Sequence, residues 1–433
     1  MFEVLSRKNK KPVGPVAEAA ADARAWYMLL LLTACHILAA ADARLPLILI
    51  ESIKFDLGLN DTQIGLIVGP AFSITYALAV VPVARLSDRH MRKYVIGIAI
   101  SVWSVFTAAA GAASGFATML VARTGLAVGE SALTPAAHSM IIDTFPGASR
   151  ARALAIYSVG IPIGAFLALA VGGHINDQYG WRAALYLVGA SGLLLSALVM
   201  LTLREPVRHY RTDETKAALR TETVRSLFAD PVIRHTIIGG TLLCIAHGTI
   251  AWLPAYILRS FSMTASQVGA SFGAAAGVAG LIGVLAGGVI NDLLARRDAR
   301  HAFWWLGLAF VAGAVFKIWA LSMSSFAGFL LLISISTLLL SFYPGPTYAM
   351  IQSRVGTESR SFASAVTLFC LQGIGVSLGG FLTGWLSDIL PFSTDAERLR
   401  GAIAIVALFS IWSAFHYFWA TRYLRTRAVQ PRA

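Results

Sequence analysis

Charge is what this 433-residue chain has least of: 13% of its residues are Asp, Glu, Lys or Arg, about half the share in an ordinary soluble domain, while 57% are hydrophobic. That shortage excludes a soluble enzyme and a disordered polyelectrolyte. Cysteine is equally scarce. The three that occur, Cys35, Cys244 and Cys370, fall inside apolar runs with no paired spacing, which excludes a disulfide framework and a thiolate metal centre. Neither a G-x-x-x-x-G-K-[ST] phosphate loop nor an H-E-x-x-H metal site is present. No cofactor, metal or catalytic activity is expected.

What the chain has in abundance is apolar length. About twelve runs reach the roughly 20 residues that a helix needs to cross a bilayer. They lie near 25–53, 62–85, 94–113, 116–142, 152–175, 182–203, 236–258, 266–290, 302–322, 326–352, 361–387 and 399–421. The first is too long for a signal-peptide core and is expected to be retained. A net charge of +13 points to topology and not to nucleic acid. With the N-terminus inside, 27 of the 35 Lys and Arg fall on the cytoplasmic side, five opposite and three within runs, so both termini are expected in the cytoplasm of a plasma or inner membrane.

The longest polar interval, Arg204 to Pro231, divides the runs six and six. The expected organisation is a cytoplasmic segment (1–24), a six-helix half (25–203), a central loop (204–235), a second half (236–423) and a tail (424–433). Within the loop, TDETKAALRTETVRSLF reads as a short surface helix. The second half also repeats the first. ARLSDRHMRK matches GVINDLLARR with Asp88 and Asp292 offset by 204, GASRARA matches GTESRSFA with Arg150 and Arg360 offset by 210, and GHIND matches GWLSD with Asp177 and Asp388 offset by 211. Six intervening spans give both halves one orientation.

On these features the chain resembles the major facilitator superfamily, whose loop motif G-x-x-x-D-R-x-G-R-R reads ARLSDRHMRK here, with Ala84 and Met91 in place of both glycines. Three further pieces resemble its spinster-like branch: QIGLIVGPAFSITYALAVVPVARLSDRHMRKYVI, VARTGLAVGESALTPAAHSMIIDTFP and the acid and arginine of the first span. The resemblance implies an all-α fold of twelve transmembrane helices in two pseudo-symmetric halves. It also implies export of lysophospholipid or sphingoid-phosphate substrates, as in animal members of that branch.

An ionisable side chain at membrane depth costs at least ~2.5 kcal/mol, so it needs a partner or a cavity. Four such groups gather in the first half: Asp42, Arg44, Arg123 and Glu130. A rise of about 1.5 Å per residue puts Asp42 roughly 18 Å and Glu130 roughly 21 Å from the outer ends of their helices, with Arg44 and Arg123 at roughly 15 and 10 Å. The two carboxylates share a level. Asp42 and Arg44, two residues apart, point to nearly opposite faces and are not expected to pair, while Pro46 is expected to bend the helix at Asp42.

Asp42 and Glu130 are thus the expected proton-coupling pair, with Arg44 or Arg123 available to an anionic headgroup. The alternative is a purely structural ion-pair network. On the cytoplasmic side, Asp88, Arg89, Arg92, Asp143 and Arg150 are expected to form a gate, matched by Asp292, Arg296, Glu358 and Arg360. The second half carries no intramembrane acid, so His247, Trp252, Tyr343, Tyr348 and Gln372 are expected to line an apolar, aromatic cavity wall, while Lys317 is expected to snorkel outward. Glycines and Pro162 of span 5, with LQGIGVSLGG of span 11, read as pivots or packing faces. The function expected is proton-coupled alternating access by a monomer, exporting an amphipathic or lipid-like anion. The alternative is uptake of a small organic or sugar acid.

Overall fold

The computed structural model describes residues 23–145, 147–206, 224–356 and 359–424, and every regular element among them is helical. The first half holds α1 (Ala23–Leu57), α2 (Asp61–Val68), α3 (Pro70–Arg89), α4 (Arg92–Gly111), α5 (Phe116–Glu130), α6 (Leu133–Thr144), α7 (Gly147–Ser158) and α8 (Gly160–Thr202). The second holds α9 (Val224–Ala229), α10 (Pro231–Gly248), α11 (Leu253–Ser260), α12 (Ala265–Ala295), α13 (Ala299–Ala320), α14 (Phe326–Leu340), α15 (Pro344–Arg354) and α16 (Arg360–Leu368). A π-helical stretch (Phe369–Val376), α17 (Ser377–Ile389), α18 (Asp395–Ala407) and α19 (Phe409–Ala420) complete it.

Among the described residues, ten helical stretches are long and apolar enough to cross a membrane. One of them, Ser149–Thr202, reverses at Gly180, whose φ of 83° suits only glycine, and so makes two crossings. The α5–α6 pair makes one more, giving the expected twelve in two sets of six. Helix α1 stays helical through Pro46. Span 7 begins five residues before its expected start because Asp230 caps α10, accepting from the Val232 and Ile233 amides, and Pro231 opens it. Of the expected loop helix, Val224–Ala229 is helical and 207–223 lies outside the described residues, as do most of the two terminal segments.

Each half has its own apolar core. Trp103 and Tyr157 are fully buried in the first, Phe310 and Tyr417 in the second. A larger cluster crosses between halves, setting Ile48, Ile64 and Leu169 against Trp252, Tyr256 and Phe272. It lies toward the end of the bundle that carries Lys54 and Arg259, and the opposite end carries Arg92. The N-termini of α2 and α12 meet the other half at the Lys54 end, and both carry capping boxes, Asn60 with Gln63 and Thr264 with Gln267.

Candidate functional site

Helices α1 and α5 bring Asp42, Arg44, Arg123 and Glu130 into one layer. Asp42, Arg123 and Glu130 are buried and Arg44 is half-buried. The set is not an ion-pair network. Arg123 lies within electrostatic range of both carboxylates, and Arg44 within range of Glu130, yet none of the four pairs directly with another. Buried Asp42 Oδ1, Arg123 Nε and Nη1, and Glu130 Oε1 all lack a hydrogen-bond partner among the described residues.

Three of the four are instead held by something weaker. Thr107 of α4 donates its hydroxyl to Asp42 Oδ2, and the same hydroxyl sits 3.0 Å from the Trp103 carbonyl one turn back. Arg123 lies over the Phe72 ring at 5.2 Å, and Arg44 Nη1 donates to the Ala40 carbonyl at 3.3 Å. Beyond Arg123, toward the Lys54 end, Ile50, Ile53, Ile64 and Ile67 close around a void of about 10 Å³, room for one water at most. The layer is therefore sealed on that side by packed aliphatic side chains.

At the Lys54 end the halves are locked. Arg259 of α11 forks onto Asp61, Nη1 to Oδ2 at 2.7 Å and Nη2 to Oδ1 at 2.8 Å, while its Nε and Nη2 also reach Glu51 Oε1 at 2.9 and 2.7 Å. Lys54 pairs with Asp61 at 2.8 Å, and Ser387 donates to it at 2.7 Å. Two reciprocal clasps flank this knot, and both come from the repeated G-x-x-x-D. Asp177 of α8 accepts from the Ala265 and Ser266 amides at the start of α12, and Asp388 of α17 accepts from those of Asp61 and Thr62 at the start of α2. One turn before each aspartate, Gly173 and Gly384 lie so close to the Ala265 and Asp61 carbonyls that a Cβ on either would collide with them.

The Arg92 end differs. Arg92 gathers Asp143 (2.5 Å), Glu205 (2.8 Å) and Ser139 (2.8 Å), of the first half and the start of the loop that follows it. Arg92 and Asp143 thus meet as the sequence suggests, joined by Glu205, which it does not single out. Arg150 donates weakly to the Phe145 carbonyl, while exposed Asp292, Arg296 and Arg360 form no ion pair with another described residue. In the second half, Arg354 pairs with Asp230 at 2.7 Å instead. Glu358 and the side chains of Asp88 and Arg89 lie outside the described residues.

Among the wall residues, His247 and Tyr348 are half-buried and Gln372 is exposed. Trp252 is fully buried with its indole donating to the Gly380 carbonyl, and Tyr343 is buried against Cys244. Lys317 does not snorkel. It is 3% exposed and donates to the Ala246 carbonyl and Thr249 hydroxyl, because helix α10 ends there and leaves acceptors inside the bundle. One G-x-S-x-G string, Gly375 to Gly379, runs through the π-helical stretch into α17 with Ser377 buried, which is no strand-to-helix nucleophile turn.

The chain is similar to known proteins in sequence and in fold. The model of the Major Facilitator Superfamily matches residues 32–380. An MFS-type efflux pump of Mycolicibacterium smegmatis (strain ATCC 700084 / mc(2)155) is 31% identical over 409 residues, 93% of this chain and 94% of the relative. The hexuronate transporter of Bacillus subtilis (strain 168) is 25% identical over 374 residues, 83% of this chain and 87% of the relative. Among solved structures, a bacterial homologue of the human lysosomal transporter Spinster, in an inward-facing and unoccupied conformation, superposes with a TM-score of 0.85 at 25% identity. That match covers 94% of this chain and 98% of the other.

Proposed function

The chain belongs to the major facilitator superfamily as a multi-pass membrane transporter, and we propose that it is a proton-coupled exporter of an amphipathic or lipid-like anion working by alternating access. The observation that carries the reading is the charged layer: two carboxyl groups and two guanidinium groups lie within electrostatic reach across α1 and α5, and four of their buried polar atoms have no protein partner. Charged groups at membrane depth are ordinarily paired, so four unpaired atoms on one charged cluster support a role beyond structure.

Desolvation favours a protonated carboxyl and a nearby guanidinium favours the ionised one, so small shifts of α1 against α5 suffice to load and release a proton. Asp42 has a built-in reporter in Thr107. Ionised Asp42 accepts the threonine proton. Once protonated it needs no such donor, and the hydroxyl is free to turn to the Trp103 carbonyl. Arg44 and Arg123 are the charges an anionic headgroup would meet. Closure at the Lys54 end, read here as the extracytoplasmic face, leaves the layer to be served from the Arg92 end.

For the amphipathic part of the substrate, an apolar groove of about 380 Å³ runs between α1 and the two arms of α8, with Ala41 and Leu45 on its wall. The second reading, uptake of a small sugar acid, rests on the same arginines and on the hexuronate transporter among the relatives. Liposomes carrying the protein under an imposed pH gradient separate the two, with a fluorescent lysophospholipid and radiolabelled glucuronate as probes. Glu130→Gln or Asp42→Asn is expected to abolish gradient-driven movement while the purified protein keeps its helical spectrum and monodispersity. Full gradient response in both variants removes the assignment.

A further inference from the structure

We propose that His36 and His138, packed on Tyr157, form a proton relay between Glu130 and the Arg92 end of the bundle. The proposal rests on the proton-coupling reading of Glu130 and adds the path that a proton takes to leave it. Glu130, Thr134 and His138 stand at i, i+4 and i+8 through α5 and α6, hence on one stripe. By helical rise, His138 lies about 12 Å beyond Glu130 and His36 about 9 Å beyond Asp42, both toward the Arg92 end and away from the aliphatic seal.

The two rings, from helices α1 and α6, converge on one tyrosine. His36 stacks on Tyr157 at 4.2 Å and 14°, and His138 meets it edge-on at 5.3 Å and 72°. Thr134 lies beside the hydroxyls of both Tyr76 and Tyr157, and Tyr76 is within electrostatic reach of Glu130. Tyr157 is fully buried, yet its hydroxyl lacks a full hydrogen bond among the described residues, as does Glu130 Oε1. Buried polar oxygens in that condition are where ordered water is held. Side chains thus run from the carboxyl to two half-buried imidazoles, and the proposed relay completes the file with water at these two unpartnered oxygens.

The geometry also fixes which nitrogen works. His36 Nδ1 lies 3.0 Å from the Tyr157 carbonyl, which can only accept, so Nδ1 carries the hydrogen and Nε2 keeps its lone pair. The Glu130 carboxyl releases its proton to the water file, Nε2 takes one up to give the imidazolium, and the ring then returns it to water at the Arg92 end. No bond other than N–H and O–H changes, and the ring ends as it began. Around the pair, Arg44 of α1 lies within electrostatic reach of His36, the two imidazoles lie within reach of each other, and Tyr157 of α7 touches both rings, with Cys35 and Tyr76 next to that tyrosine. Only the histidines ordinarily titrate near neutral pH among these.

The test follows protonation of Glu130 itself, in lipid nanodiscs, by time-resolved infrared spectroscopy after a photoreleased-proton pH jump. The carboxylic C=O band is assigned by its loss in Glu130→Gln. His36→Asn keeps a donor toward the Tyr157 carbonyl but cannot titrate. In the His36→Asn/His138→Asn double variant the band is expected to grow on the order of 100- to 10,000-fold more slowly, the range for removing a proton-transfer group, while its final amplitude at each pH stays the same. The His36→Phe/His138→Phe pair keeps ring packing and is expected to be equally slow. A wild-type rate in either folded double variant overturns the relay. Absence of the band in the wild type overturns the coupling reading, and the relay with it.

Discussion

Lys317 has the least expected surroundings of any side chain in the chain. Its position near a helix end fits a snorkelling lysine, but the break in α10 after Gly248 turns unused acceptors inward, and the amine follows them. No carboxylate answers it among the described residues. Burying an unpaired amine costs more than two neutral hydrogen bonds return, so Lys317→Met is expected to raise the thermal midpoint, as with other buried charges replaced by apolar side chains. A lower midpoint by scanning fluorimetry would show that the amine is needed to close the broken helix. The charged layer is the better-read part of the sequence at this scale, because an acid in an apolar run announces itself. Its support is not legible, since Thr107 is an ordinary residue for such a run, and neither is Glu205, the partner of Arg92 at the far end, which sits in a polar loop where acids are common.

Elements were legible where local chemistry decides them. Spans follow hydropathy, and the start of α10 is written in Asp230-Pro231, although Arg234 and His235 interrupt the apolar run just after it. The repeated G-x-x-x-D shows the opposite case. The sequence exposes it twice, at Gly173 to Asp177 and Gly384 to Asp388, but its partners are backbone amides 88 to 89 and 326 to 327 residues away, which leave no side-chain signature. Because the glycines sit against carbonyls, a methyl group there cannot be absorbed by a side-chain shift. Gly173→Ala or Gly384→Ala is expected to part the halves at the Lys54 end, read as faster labelling by an impermeant maleimide of a cysteine placed at Ser266 or Thr62. Labelling as slow as in the parent would mean that the helices tolerate the methyl and the close approach is not what holds them.

At the scale of the whole molecule, one end is locked by long-range pairs that no periodicity forecasts, since Arg259 meets Asp61 and Glu51 across 198 and 208 residues. Removing one member of a buried pair costs about 3 to 5 kcal/mol because the other charge stays behind, and 3 kcal/mol is about two decades in an equilibrium. Arg259→Ala is therefore expected to shift the population toward opening at this end. Spin labels replacing exposed Phe55 and Phe392, on opposite halves, give a direct reading in nanodiscs by electron–electron distance measurement. A second, longer distance should appear with Arg259→Ala, and an unchanged distribution would remove Arg259 from the lock.

The two clasps have one more consequence. Each half grips the first turn of a helix from the other, so closing one clasp delivers the second pair of partners at a high effective concentration. The lock is bivalent. A variant lacking only Asp177 or only Asp388 should still close, more weakly and with faster reopening, whereas loss of both should cost far more than twice the single effect. Evolution can therefore tune the lifetime of the closed end through either aspartate without abolishing closure, a latitude that a single-point gate would not allow.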